Sequence, residues 1–441
     1  MKKIMFFALA AAGLFASCSS DDALTSDVQK AEELNSDLVP IKVNLGNSVM
    51  TATRGTGTVG SNDASSNKWN NETFKLYMFE KGTLEPADDD LNPGTPLYVN
   101  EDFNAGNAAA TNDSVLATAS SGITKYYPRT KKFDFWAYRL DDCTGPAGAT
   151  IAAPAVDPTD ATKMTVDFEI DGTQDVMVAQ ANRKGFPTAD PTDGNVKDKS
   201  YSAWSARKGY YPNLEFNHLL SRLAFKVKAG SAETLLAKLD PADPTNDVDV
   251  NLTVKKIEVF SAIDGKLIVA YTGDSIQDAN RITWDDPVYD LNTPANNDPY
   301  FLELTDAAGT PFTPEHITGV VAQDCGDALL VRPADANGYY FRITLEQDIF
   351  NPAFDSTQPV DATLNPYTVK KETTTTSKII VNKTVGTDAV AQAFLPGYTY
   401  DVTITVWGLS EISVYTTLNK WKKWGENADE KPIEIDPEEY N

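Results

Sequence analysis

Short segments in which apolar and polar residues alternate recur along this chain, and they decide what it can fold into. The segments begin at Ile41, Phe74, Phe133, Met164, Leu223, Val254, Tyr339, Ile379 and Tyr398. Alternation with a period of two predicts β-strands. Helical periodicity is nearly absent, and the best candidate is a short helix over 232–239 with three leucines on one side. The chain is therefore predicted to be all-β.

The connections between these segments favour β-sandwiches. They are polar and rich in Gly, Pro, Asn and Asp, and no fixed-period repeat of the kind that propellers carry is visible. A length of 441 residues allows two or three domains. We predict two tandem sandwich domains, 38–213 and 214–441, with the junction at the aromatic and proline-bearing stretch Tyr210-Tyr211-Pro212.

The first residues have the pattern of an export signal. Lys2 and Lys3 precede an uncharged apolar run of 12 residues, 4–15, which is too short for a permanent transmembrane helix. The run continues through Ala16 and Ser17 into Cys18, whose thiol can accept a lipid before cleavage. This predicts a lipoprotein signal peptide, 1–17, with lipidation at Cys18, although an ordinary secretory peptide can also hold a cysteine there. The polar, acidic stretch 18–37 without aromatics predicts a flexible tether.

Charge and rare residue types exclude several classes of function. A formal charge of −25 argues against a nucleic-acid partner, because phosphate contacts need clustered Lys and Arg. With only His218 and His316 in the chain, no His-based metal cluster or Ser-His-Asp arrangement can be named. Cys143 and Cys325 are 182 positions apart and are expected to be free or buried thiols in separate domains. We predict no enzyme, no metal and no cofactor, although a catalytic pair of carboxylates stays formally open.

Four motifs, in a fixed order after the leader, carry a resemblance to a known family. They are Leu76-Tyr77-Met78-Phe79-Glu80, Phe133-Asp134-Phe135-Trp136-Ala137-Tyr138, Asp175-Val176-Met177-Val178-Ala179 and Phe216-Asn217-His218-Leu219-Leu220-Ser221-Arg222-Leu223. Together with the lipoprotein leader and the tail from Pro396-Gly397-Tyr398 through Trp421, they resemble the fimbrillin family of Bacteroidota, the subunits of lipoprotein-derived (type V) pili. The resemblance covers most of the chain after the leader.

The resemblance implies two transthyretin-like β-sandwiches and a proteolytic maturation step. In that family a trypsin-like, Arg-specific surface protease cuts after an arginine and removes the first strand. The matching position here is Arg54 before Gly55, so the removable segment is 38–54, with Ile41, Val43 and Leu45 on its apolar face. The alternative is that Arg54 is an ordinary solvated loop residue.

Losing that strand has a physical consequence of its own. Three apolar sites and a row of unpaired backbone groups would be exposed, which makes a template for another strand. We predict the donor in the region 409–436, and the alternative is that this region completes the second sandwich. Its candidate residues are Ile412, Val414, Thr416, Trp421, Trp424, Ile433 and Ile435.

These observations predict a structural subunit, stalk or tip, of a surface fimbrium that assembles head-to-tail by donor-strand complementation and serves adhesion or biofilm formation. Its partners would be other copies or related fimbrial subunits, the Arg-specific protease, the lipid (palmitate) anchor of an outer-membrane precursor, and a host or bacterial surface receptor or glycan. The alternative is an outer-membrane glycan-binding lipoprotein that stays lipidated and monomeric. It would use exposed aromatics such as Trp136 or Trp204 as sugar platforms.

Overall fold

The structure is a computed structural model, and it describes most of the chain beyond the tether. The described residues are 38–45, 72–80, 99–105, 115–128, 133–140, 143–182, 201–207, 209–237, 248–249, 251–271, 276–290, 294–306, 310–385, 388–409 and 411–420. In this part of the chain no helix has both the length and the apolar character needed to cross a membrane.

The prediction of an all-β chain is confirmed. The first strands are β1 (Val43–Leu45), β2 (Thr73–Glu80), β3 (Val99–Asn104), β4 (Val115–Ala119), β5 (Phe133–Arg139), β6 (Ala155–Val156), β7 (Lys163–Glu169), β8 (Met177–Asn182), β9 (Asn213–Leu214) and β10 (Asn217–His218). They are followed by β11 (Ser221–Ala229), β12 (Leu236–Ala237), β13 (Val248–Asp249), β14 (Leu252–Phe260), β15 (Asp264–Tyr271), β16 (Ile282–Trp284), β17 (Phe301–Glu303), β18 (Thr305–Asp306), β19 (Thr310–Pro311) and β20 (Glu315–His316). The last are β21 (Gln323–Asp324), β22 (Leu329–Val331), β23 (Tyr339–Phe350), β24 (Thr368–Ile379), β25 (Val381–Val385), β26 (Asp388–Gln392), β27 (Tyr398–Gly408) and β28 (Glu411–Lys420).

Helical structure is confined to short pieces in the described residues. One five-residue α-helix, α1 (Ala203–Arg207), precedes β9, and 3₁₀ helices cover Pro146–Gly148, Ala232–Leu235, Asp278–Asn280 and Pro294–Tyr300. The predicted helix over 232–239 is wrong in its second half, because a single 3₁₀ turn there gives way to β12. Pairing of β12 with β13 overrides the leucine spacing that favoured a helix.

The first strands form a sheet that closes on itself. Its hydrogen-bonded order is β8-β5-β2-β3-β4-β1-β9, and β9 pairs with β8 again, while β10 attaches to the other edge of β8. The inward-facing residues form one apolar core that includes Val43, Leu76, Phe135 and Leu214. Closure means that each strand of the ring, including the first, has a neighbour on both sides.

Strands β2 and β5 of this closed sheet are buried on both faces. In β2, Leu76 faces the inner core while Tyr77 belongs to a second core shared with the rest of the molecule, and both are almost fully buried. In β5, Phe135 faces the inner core and Trp136 faces the second core. The sandwich-like layering is therefore continuous from the closed sheet into the later strands.

Three further sheets enclose this second core. Their orders are β21-β11-β27-β28 with β22 also on β11, β17-β14-β23-β24 with β20 also on β14, and β16-β15-β7-β6. The central pair β11 and β27 runs parallel, from Arg222 beside Thr399 to Ala229 beside Val406. Strand β28 closes that sheet on one side as its last strand.

Hydrogen bonding crosses the predicted domain junction in both directions. Strand β7 lies within 38–213 but pairs along its whole length with β15 of the later half. Strand β10 lies within 214–441 but pairs with β8 of the closed sheet. The structure thus confirms the all-β, sandwich-like fold but does not confirm two tandem domains, and the division at 213/214 stays a prediction, as does the transthyretin-like topology.

A buried polar contact ties two of the four family-like motifs together. The His218 Nδ1 lies 2.6 Å from the Asp175 Oδ2, and both side chains are buried. Because β10 carries His218 and the residues just before β8 include Asp175, the contact fastens β10 to the closed sheet. The contact gives His218 a structural role in the fold.

Replacing Asp175 with alanine is expected to lower the free energy of unfolding by roughly 2 to 4 kcal/mol, because the imidazole then stays buried without its carboxylate. Denaturant unfolding followed by tryptophan fluorescence measures this. His316→Ala is the matched control, since His316 is exposed and its Nδ1 contacts only the Thr253 hydroxyl, at 2.8 Å, among the described side chains. Equal losses in the two variants would refute the structural role.

Candidate strand-exchange site

The first strand of the chain occupies a slot between two others. Strand β1 runs antiparallel to β4, with Val43 opposite Ala117 and Leu45 opposite Val115. On its other side it runs parallel to β9, with Leu45 beside Leu214. Pro40, at the start of this alternating segment, suits either a first strand residue or an edge strand. The structure places β1 in the interior of the sheet, and Pro40 forms an isolated bridge with Tyr126.

Backbone hydrogen bonds hold the segment beyond the three residues of β1 itself. The Ile41 N–H donates to the Lys125 carbonyl at 2.8 Å, and the Tyr127 N–H donates to the Val39 carbonyl at 2.9 Å. From the other side, the Asn44 N–H donates to the Pro212 carbonyl at 2.8 Å. Seven residues, 39–45, are thus fixed in the slot.

The three side chains predicted for the removable strand all point into the core. Ile41 is 7% exposed, and Val43 and Leu45 are 0% exposed. Burying a side chain of this size stabilises a fold by about 1.5 to 3 kcal/mol. The strand therefore contributes a substantial part of the stability of the closed sheet.

The residues between these positions face outward. Lys42 is exposed, and its Nζ lies 5.6 Å from the centre of the Tyr211 ring. The rim on the β4 side is apolar, since Leu38, Leu116 and Ile123 are all highly exposed. A partner that approached this rim would find apolar surface beside the slot.

An incoming strand would have to meet a defined geometry. Because β4 is antiparallel and β9 is parallel to β1, a replacement must run in the direction of β1 to pair with both. A slip of one residue would turn the apolar side chains away from the core. The slot therefore selects a strand with apolar residues at alternate positions and one direction.

The processing and lipidation positions lie outside the described residues. These are Cys18, Arg54 and Gly55. In the sequence Arg54 falls between the end of β1 at Leu45 and the start of β2 at Thr73. A cut after Arg54 would therefore leave β1 covalently separate from all later strands.

The predicted donor region is divided by the structure. Ile412, Val414 and Thr416 lie in β28 and face the core, with Thr416 buried and the other two half-buried. Strand β28 pairs with β27 of the same chain, for example Val414 opposite Ile404. This part of the region fits the alternative in which it completes the chain's own sheet, whereas Trp421, Trp424, Ile433 and Ile435 lie outside the described residues.

The described side chains contain neither a disulfide nor a cluster of metal-ligating residues. Cys143 and Cys325 are buried and are not joined in a disulfide, and burial raises the pKa of the Cys325 thiol to about 12. No group of three or more His, Cys, Asp or Glu in the described ranges is placed to hold a metal ion.

The glycan-binding alternative names Trp136 and Trp204 as sugar platforms, and its prediction for Trp136 is wrong. Trp136 is only 4% exposed, because its ring packs 4.8 Å from the Tyr271 ring and the Arg281 guanidinium lies over it at 5.7 Å. The side chain of Trp204 lies outside the described ones.

Comparison with solved structures finds similar proteins across nearly the whole chain. A protein assigned to cell adhesion from Bacteroides uniformis shares 16% identity over 88% of this chain and 99% of that chain, with a TM-score of 0.40. The chain resembles adhesion and fimbrial proteins of Bacteroidota. The tip fimbrial protein Mfa3 from Porphyromonas gingivalis matches at 10% identity and a TM-score of 0.29, covering 87% of this chain and 100% of that chain. A fimbrilin from Porphyromonas gingivalis matches at 10% identity and a TM-score of 0.30, covering 87% and 98%.

No protein-family model matches the sequence, and the comparison with curated proteins gives no match. Similarity at this level transfers no residue role, so the function of this chain has to be inferred from its own geometry.

Proposed function

We propose that the chain is a structural subunit of a cell-surface fimbrium, exported as a lipoprotein and activated by removal of its first strand. Subunits then assemble head-to-tail, and the emptied slot of each subunit accepts a strand from the next copy. Such a contact is heterologous and does not close on itself, so it generates a filament.

The position of β1 is the observation that carries this proposal. It is the first described strand, it is short, and it is buried between two neighbours. Because it is the first of the described strands, one cut in the connection to β2 separates it from all the others. An emptied slot would expose the facing edges of β4 and β9 together with the apolar sites of Val43 and Leu45, and a strand offered by another chain pairs with such edges.

Lipid attachment at Cys18 holds the precursor at the outer membrane before it is cut. While β1 fills its own slot, the precursor cannot accept a foreign strand and remains a monomer at the outer membrane. A cut after Arg54 would release the lipid and the strand in one step. The lipid anchor and β1, which fills the slot, would thus belong to one removable segment.

Replacing Arg54 with alanine tests the proposal. We expect the variant to be exported and lipidated but to remain monomeric, because β1 stays in the slot. Detergent-resistant ladders on gels of surface extracts, with electron microscopy of the cells, measure assembly. Arg207→Ala, at an exposed position on α1, is the control and should assemble like the parent. Normal fibres from the Arg54→Ala variant would overturn the proposed cleavage step.

A further inference from the structure

Among the described side chains, one tryptophan is exposed, and it lies on the outer face of the sheet β21-β11-β27-β28. Trp407 is 48% exposed and lies in β27. The pairing of β27 with β28 shifts register between Val406 and Gly408, so Trp407 is the extra residue of a β-bulge. Bulges re-aim side chains and are over-represented next to functional sites.

The bulge lays the indole flat against the sheet. A Cβ added to Gly230 would clash with the Cδ2, Cε3 and Cε2 atoms of Trp407. Two of these atoms form the ring fusion, so one face of the indole covers the glycine backbone. The indole Nε1 lies 3.4 Å from the Ser413 Oγ, which fixes the rotation of the ring. The opposite ring face is turned toward solvent.

Hydrogen-bonding side chains lie in the adjacent row of the same face. Lys228 pairs in register with Thr405, and Thr405 pairs with Ser413. All three alternate with residues that are buried or that pack against the core, and they therefore point outward with Trp407. The row brings an ammonium and two hydroxyl groups beside the exposed indole.

Charge narrows the chemistry of a ligand. The chain carries a formal charge of −25, which repels anionic polymers, anionic bilayers and acidic sugars. A neutral pyranose has a flat, weakly polar C–H face that suits an indole and a rim of hydroxyl groups that suits the Lys228, Thr405 and Ser413 side chains.

We propose that Trp407 and the row Lys228-Thr405-Ser413 form a binding platform for a neutral saccharide. Trp407 stacks on one pyranose ring, and the row hydrogen-bonds to its hydroxyl groups. This site is separate from the strand slot and goes beyond the assembly role, so either can fail without the other.

The test is calorimetric titration of the full chain with maltohexaose, cellohexaose, xylohexaose and mannohexaose, and with sialyllactose as an acidic counterpart. We expect at least one neutral oligosaccharide to bind and Trp407→Ala to weaken its binding about tenfold or more. Trp407→Tyr should keep part of the affinity and still cover Gly230, so it serves if the alanine variant does not fold. Lys228→Met should weaken binding without changing the thermal stability.

Tyr367→Ala is the matched control. Tyr367 is 42% exposed, and its ring stacks at 4.2 Å on Phe354, both within the connection between β23 and β24. Its removal should leave the affinity unchanged. The proposal is overturned if no neutral oligosaccharide binds, if binding is unaffected in both Trp407 variants, if only sialyllactose binds, or if Tyr367→Ala abolishes binding instead.

Discussion

A chain that begins at Gly55 is expected to be far less stable than the full chain, and a peptide spanning residues 38–48 is expected to restore most of the loss. The trimmed chain loses three buried side chains, on the order of 5 to 9 kcal/mol in gross burial. It also loses the backbone hydrogen bonds to β4, β9 and the 125–127 segment, each contributing about 0.5 to 1.5 kcal/mol. Since domains are typically stable by only about 5 to 15 kcal/mol, the empty slot brings the fold close to its limit.

Thermal unfolding of the trimmed chain, with and without peptide, measures both effects. Two control peptides sharpen the experiment. One carries Val43→Asp and Leu45→Asp and should not bind, because it would place charges at fully buried sites. The other has the same composition, but Lys42 is exchanged with Val43 and Asn44 with Leu45, and it should bind poorly because its valine and leucine would then point away from the core. Equal stability of the trimmed and full chains would show that β1 is not a structural plug.

Deleting residues 421–441 is expected to abolish fibre formation while leaving the monomer folded. Strand β28 ends at Lys420 and already pairs with β27 through ten residues, so the chain uses that part of its tail for its own sheet. The proposed donor is therefore narrowed to the sequence after Lys420, which holds Trp421, Trp424, Ile433 and Ile435. A subunit without this tail still has a slot but offers nothing to its neighbour.

The deletion should begin after Lys420 and not before Leu409. A cut before Leu409 also removes β28, with the buried Thr416 and the half-buried Ile412 and Val414, so a loss of assembly could reflect a damaged fold. Unfolding curves of the protein ending at Lys420 should match those of the full chain. A loss of ladders on gels would then reflect a loss of assembly and not a loss of folding. Normal ladders from the protein ending at Lys420 would place the donor elsewhere.

The individual strands were largely readable from the sequence. Ile41, Val43 and Leu45 alternate with polar residues, and the structure buries those three. In β5 the alternation was visible, but Trp136 and Tyr138 on its second face are buried as well. Large aromatics on the supposedly outer face are the signal that a strand is covered on both sides.

Closure of the first sheet could not be predicted in the same way. Strand β9, which completes the slot, has only two residues, Asn213–Leu214, and two residues carry no periodicity. Its pairing with β1 joins positions far apart in the chain, so it depends on the whole fold. The pairing of β7 with β15 cannot be predicted from the sequence for the same reason, because it also joins positions far apart in the chain.

Strand β24 was missed for a different reason. It is twelve residues long, but its centre is a run of four threonines flanked by lysines and a glutamate, without apolar alternation. It pairs with β23 on one side and lies at the end of its sheet, where an exposed strand needs no apolar face. Its β-branched threonines were the available signal.

The N-terminal residue of the protein isolated from assembled surface fibres tests the central claim most directly. If removal of the first strand opens the slot for the next subunit, Edman sequencing or mass spectrometry of fibre protein will find Gly55 at the N-terminus, with the segment 18–54 missing. Fibres built from chains that still begin at a lipidated Cys18 and retain Val43 and Leu45 would contradict it.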